Sequence, residues 1–164
     1  MHVQLNFGLT RIANDPEHSL EIELPFLQRA LASEWKLLPV MVRSEDPHVC
    51  HVLGKALAKT LAGQNAILVA STDLSHYYDQ QTALTLDRAM LEQVEALDPE
   101  HAFDLERSGR GFACGLGALA AVMWASLELG ADHVEILRHA TSGDITGDFG
   151  AVVGYGAAAI LKSK

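Results

Sequence analysis

Three short stretches of this chain combine side chains that can hold a metal ion or move a proton. The first is Asp15-Pro16-Glu17-His18-Ser19-Leu20-Glu21, which sets a histidine beside carboxylates at a helix start. Asp15 suits an N-cap and Pro16 the first helical position. His18 and Glu21 lie three apart, and Glu17 and Glu21 four apart, so they share one helical face. A histidine on the first turn of a packed helix is a stiff place to hold a metal. The same spacing also fits a surface histidine among solvated carboxylates. The second stretch is Ser71-Thr72-Asp73-Leu74-Ser75-His76. Asp73 and His76, three residues apart on a turn, point into one crevice if the turn is tight. There His76 serves as acid, base or ligand and Asp73 orients it. An Asx turn with an exposed His76 fits equally well. The third is Phe112-Ala113-Cys114-Gly115. A thiol at a helix N-terminus faces unpaired N–H groups and the positive end of the helix dipole, which favour thiolate. A thiolate is a soft metal ligand or a nucleophile. A small buried hydrophobe is the other reading of a free cysteine.

The elements that must position these groups follow from periodicity and breakers. A helix is expected over 16–33, with Leu20, Leu24 and Leu27 docking to a core and Pro25 causing a kink or break. Residues 35–43 read as a buried strand and 66–70 (Ala-Ile-Leu-Val-Ala) as a central parallel strand. The second of these would place Asp73 and His76 past its carboxyl end, where open α/β sheets bind ligands. Val3, Leu5, Phe7 and Leu9 alternate as in a short strand. Helices are expected after Asp46-Pro47 up to Gly63, over 79–97, after Asp98-Pro99, and over 115–129, the last apolar almost all round. Strands are expected over 133–139 and 149–161, joined by a Gly/Asp loop over 141–148. Gly150, Gly154 and Gly156 permit bulges or close backbone approach. Strands alternating with helices argue an α/β fold, a mostly parallel central sheet flanked by helices, within a single domain over 1–164.

Composition narrows the function. The 164 residues are long enough for a substantial core. A formal net charge of −9 argues against nucleic acid or anionic membrane as the main partner. Cys50 and Cys114 are the only cysteines, so there is no disulfide framework and a reducing compartment fits. No uncharged stretch reaches the length of a membrane span, and the N-terminus shows no secretory signal. The expectation is a soluble, cytoplasmic protein. Cys50, with His48 and His51 nearby, reads as filler, and His101, His133 and His139 as structural or surface residues.

Four motifs carry a family resemblance. Glu17-His18-Ser19-Leu20-Glu21 with Leu24-Pro25-Phe26, Ser71-Thr72-Asp73 with His76, Cys114-Gly115, and Thr141-Ser142-Gly143-Asp144-Ile145-Thr146-Gly147-Asp148 with Val152-Val153-Gly154-Tyr155 resemble, in order, signatures of the Memo family. That family is similar in fold to the class III extradiol ring-cleavage dioxygenases. The resemblance implies metal ligands at His18 and Cys114, with Asp73 and His76 lining the same pocket as catalytic residues. It also implies iron or copper, or zinc, and a redox role related to non-haem dioxygenases. With Cys114 in place of the carboxylate of those iron sites, ordinary dioxygenase turnover is less expected than other redox chemistry. The family's His-Ala-Gly-Tyr segment, which supplies a further histidine ligand, has no counterpart here; only His2 precedes Asp15. The chain therefore looks like the C-terminal part of a Memo protein. A small-molecule or peptide ligand is expected in the crevice, and self-association or a partner supplying the N-terminal segment is expected at the exposed edge. Two rival readings remain: a non-catalytic module gripping a protein or phosphopeptide in the same crevice, and a truncated inactive fragment.

Overall fold

The computed structural model describes residues 8–14 and 16–163. Asp15 and His2 lie outside them, as do Val3, Leu5 and Phe7 of the first alternating stretch.

Helix α1 spans Ser19–Ala30, later than the Pro16 start expected. The Glu17 carboxylate accepts the backbone N–H groups of both His18 and Ser19, at 2.8 and 2.9 Å. Those N–H groups are thereby satisfied in a turn ahead of the helix, and His18 becomes the capping position. Pro25 sits inside the helix without ending it. Leu20, Leu24 and Leu27 are only half-buried, and no residue of α1 is fully buried.

Three further helices start where an aspartate precedes them. Asp46 caps α2 (Pro47–Leu61), Asp79 caps α3 (Gln80–Glu95) and Asp98 caps α4 (Pro99–Arg107), each side chain accepting a first-turn N–H. Proline at the first turn of α2 and α4 removes a donor that would otherwise be orphaned. Helix α5 (Leu116–Glu128) buries Leu116, Gly117, Ala120, Ala121, Met123, Trp124 and Ala125, as expected of a helix with little polar surface. It lies close on α2 because Gly54 has no side chain: a Cβ there would meet the Ala121 carbonyl at 2.7 Å and Trp124 Cβ at 2.8 Å.

The sheet corrects the expected topology. Strands β1 (His76–Tyr78), β2 (His133–Thr141) and β3 (Val152–Leu161) form one sheet in the order β1-β3-β2, with both pairings antiparallel. A short helix, α6 (Gly143–Thr146), interrupts the loop between β2 and β3. Residues 35–43 and 66–70 form no ladder among the described residues, so no parallel strand pair is present there. A central parallel strand over 66–70 would be covered on both faces. Instead Ile67 is 74% exposed and Val69 42% exposed. Helix α3 packs on β2 and β3, and α4 and α5 extend the helical layer to α2. The main core gathers Cys50, Leu53, Leu74, Met90, Phe103, Leu116 and Trp124, among others. A second cluster of Val94, Met123 and Val134 seals α3 and α5 against β2. Among the described residues no helix is long and apolar enough to cross a membrane.

Candidate metal centre

The segment 71–76 runs directly into β1 and is pinned from three sides. Leu74 N–H donates to the Gly154 carbonyl at 2.9 Å, and Gly154 N–H returns a bond to Ser75 at 2.8 Å. This extends the β1–β3 pairing back to the turn itself. At Tyr77 the backbone takes φ +64°, and the ladder with β3 is irregular between His76 and Tyr78. A non-glycine residue in that region is held there by its surroundings, and such positions concentrate at functional sites. Just before this irregularity, His76 Nε2 lies 3.5 Å from Asp73 Oδ2.

The cysteine loop closes on the same turn. Cys114 N–H donates to the Asp73 carbonyl at 3.1 Å, and Asp73 N–H donates to Cys114 Sγ at 3.2 Å. The Thr72 hydroxyl accepts from Gly115 N–H at 2.8 Å and lies 3.6 Å from Sγ. Gly115 is required: a Cβ there would sit 2.8 Å from the Ser71 carbonyl. Donor atoms of Asp73, His76 and Cys114 thus lie within 4.8 Å of one another, with Asp73 and His76 half-buried and Cys114 exposed. A carboxylate oxygen, an imidazole nitrogen and a sulfur are a coherent mixed set for a transition metal. First-row metal–ligand bonds of about 2.0–2.3 Å require the set to tighten slightly around an ion.

His18 stands outside this three-residue group. Its ring is exposed, with Nδ1 3.4 Å from the Pro16 carbonyl. The start of α1 is nevertheless tied to the site, because the Ser71 hydroxyl donates to the Ser19 carbonyl at 3.0 Å. Backbone N–H bonds from Ser19 and then His18 hold the Glu17 carboxyl below the usual range. Cys50 is fully buried in the core and donates its S–H to the Ser44 carbonyl at 3.4 Å. Burial, and then the nearby Asp46, push its thiol up to about 11.

Two residues behind the turn were not anticipated. Asp87, on α3, is completely buried and accepts Ser75 N–H at 2.9 Å. His139, on β2, meets its other oxygen at 2.8 Å. Ala83, Asp87, Met90 and Val94 are the buried residues of α3, so a carboxylate occupies the apolar stripe of that helix. That placement was the available signal.

Comparison with known proteins agrees with the motifs. The Memo-like protein family model matches residues 3–159. A MEMO1 family protein of Nitrosopumilus maritimus is 36% identical over 149 residues, covering 91% of this chain and 54% of its own length. One from Thermotoga maritima is 39% identical over 140 residues, covering 85% of this chain and 49% of its own length. One from Methanopyrus kandleri is 36% identical over 151 residues, covering 91% and 53%. The chain spans about half the length of these relatives. With a match over nearly its whole length, the chain belongs to the Memo family.

Proposed function

We propose that this chain is a metal-binding member of the Memo family whose ion is held by Cys114 and His76, with Asp73 beside them. The observation that carries this is the convergence of three donor atoms within 4.8 Å from two segments about 40 residues apart in sequence. Nothing in the core requires it, since Cys114 is exposed and the polar atoms face a solvent-accessible edge. Asp73 sets the orientation of His76; where Cys114 and His18 alone hold the ion, His76 Nε2 is instead free to take or return a proton, the catalytic role the resemblance implies. His18, the residue that caps α1 and precedes the tethered Ser19, completes the ligand set in this reading. Bound iron or copper would supply redox chemistry at such a centre, and zinc would supply Lewis acidity. The substrate class is a small molecule or peptide group reaching the cluster from solvent. A second chain against the exposed apolar stretches 35–43 and 66–70 belongs to the same proposal.

The test is elemental analysis of the purified protein, then titration of the metal-free protein with iron, copper and zinc. Cys114→Ser and His76→Ala are expected to weaken binding by about tenfold or more, and His18→Ala to a similar extent. Equal affinities in wild type and all three variants would refute the centre. Peptide or phosphate binding that survives full removal of metal would favour a non-catalytic module instead.

A further inference from the structure

We propose that the buried Asp87–His139 pair is a positioning device for the candidate metal centre, acting through the backbone of Ser75. This rests on the metal-binding reading above and assigns two residues that reading does not use. Asp87 is fully buried, and both carboxylate oxygens are spoken for: Oδ1 accepts Ser75 N–H at 2.9 Å and Oδ2 meets His139 Nε2 at 2.8 Å. Ser75 is the residue immediately before His76 and two after Asp73. It is also the residue whose carbonyl accepts Gly154 N–H. The Ser75 peptide is therefore gripped on one side by β3 and on the other by α3.

Gly154 explains how the carboxylate gets there. Any Cβ at that position would overlap the Asp87 carboxyl group. The strand that pairs with the turn has thus been left without a side chain where Asp87 must pass beneath it. His139 faces Gly156 across the β2–β3 ladder and holds the second oxygen. One carboxylate thereby links α3, β2 and the catalytic turn at a point next to β3. Burying a carboxylate is costly unless its lone pairs are satisfied, so a simple packing role would be better served by an apolar side chain in that stripe. What the carboxylate adds is direction. It fixes the rotation of the peptide from which Asp73 and His76 diverge towards Cys114.

The experiment uses cobalt(II) as the probe ion, because coordination by Cys114 gives a sulfur-to-metal charge-transfer band. Asp87→Ala and His139→Ala remove the clamp. Asp87→Asn keeps an acceptor for Ser75 N–H, and His139→Gln keeps an amide that can meet Asp87. The alanine variants are expected to lose cobalt affinity, about tenfold or more at Asp87 and about threefold at His139, with a shifted band; the Asn and Gln variants should recover most of it. A second readout needs no metal. Loss of the Asp73 N–H···Sγ bond should change the rate at which Cys114 is alkylated in the metal-free alanine variants. Alanine variants that fold, with lowered melting temperature but wild-type cobalt affinity, band and alkylation rate, would overturn the proposal. If Asp87→Ala does not fold, His139→Ala and His139→Gln decide by the same criteria, since His139 is the less buried partner, with 22% side-chain exposure against 0% for Asp87. Absence of a charge-transfer band in wild type would defeat the metal reading alone, and the alkylation rates would then decide the clamp.

Discussion

The two cysteines make opposite predictions because their surroundings differ. Cys50 is enclosed in the core with its thiol pushed up to about 11 by burial and then by Asp46. Its labelling by iodoacetamide should be negligible at pH 8 and governed by unfolding. Cys114 is exposed and its sulfur already accepts an N–H from Asp73, so it should label in the folded protein and be protected by bound iron, copper or zinc. Mass spectrometry at both positions over a pH series checks this. Labelling of Cys114 that matches Cys50, or that ignores added metal, would remove the sulfur from the ligand set. Ser75 supplies a further test at this scale. Its hydroxyl is buried and has no hydrogen-bond partner among the described residues, while its N–H is held by Asp87. An unsatisfied buried hydroxyl costs stability, so Ser75→Ala should be neutral or stabilising by up to about 1 kcal/mol. It should leave cobalt affinity unchanged, because the clamp acts on the backbone. A large loss of affinity in Ser75→Ala would show that the hydroxyl itself serves the site.

At the scale of elements, the aspartate caps govern the response to acid. Burial works to raise the Asp98 carboxyl, but the His101 N–H and ring outweigh it, and the net direction is down. At Asp79 the bonds from the Thr82 side chain and N–H lower it as well. A carboxyl lowered in the folded state contributes stability above its unfolded value of about 3.9 and loses it as the pH falls through the lower folded value. Glu106 runs the other way. Burial raises its carboxyl, so its contribution favours the folded state at acid pH and fades as the pH rises through its raised value. Glu106→Gln should therefore raise the melting temperature at pH 7 relative to wild type and lose that advantage near pH 4. Asp98→Ala should cost about 1 kcal/mol at pH 7, as the loss of an N-cap does, and less below pH 4. Thermal melts over that range decide both. The caps were legible because Asp-Pro or Asp-Gln ahead of an amphipathic run is a local signal. Spacing made Asp73, His76 and Cys114 legible one at a time, and only the family resemblance implied that they share a pocket. Their meeting depends on the pairing of Leu74 and Ser75 with Gly154, far along the chain. The start of α1 slipped by a turn because the Glu17 carboxylate, reaching forward, takes up the N–H groups of His18 and Ser19 ahead of the helix. His139 looked partnerless because its partner lies 52 residues away.

The parallel sheet failed for a reason that belongs to the whole molecule. An apolar run such as 66–70 reports that a strand wants covering on both faces, and says nothing of what covers it. Among the described residues nothing pairs with this stretch or with 35–43. Leu38 is 80% exposed, Leu37 47%, Met41 41% and Ile67 74%. The chain also spans about half the length of its curated relatives. Exposed apolar side chains on stretches without ladder partners favour burial against another chain. A net charge of −9 opposes that association by repulsion between copies, and added salt screens it. The expected outcome is association that strengthens with concentration and with salt between about 20 and 300 mM, read by light scattering on an eluting peak. Leu38→Glu and Ile67→Glu should each shift the protein towards monomer without lowering its melting temperature, since neither side chain is packed in the core. A monomer at every concentration and salt, unchanged by these variants, would show that the exposed stretches do not drive assembly of this chain with itself.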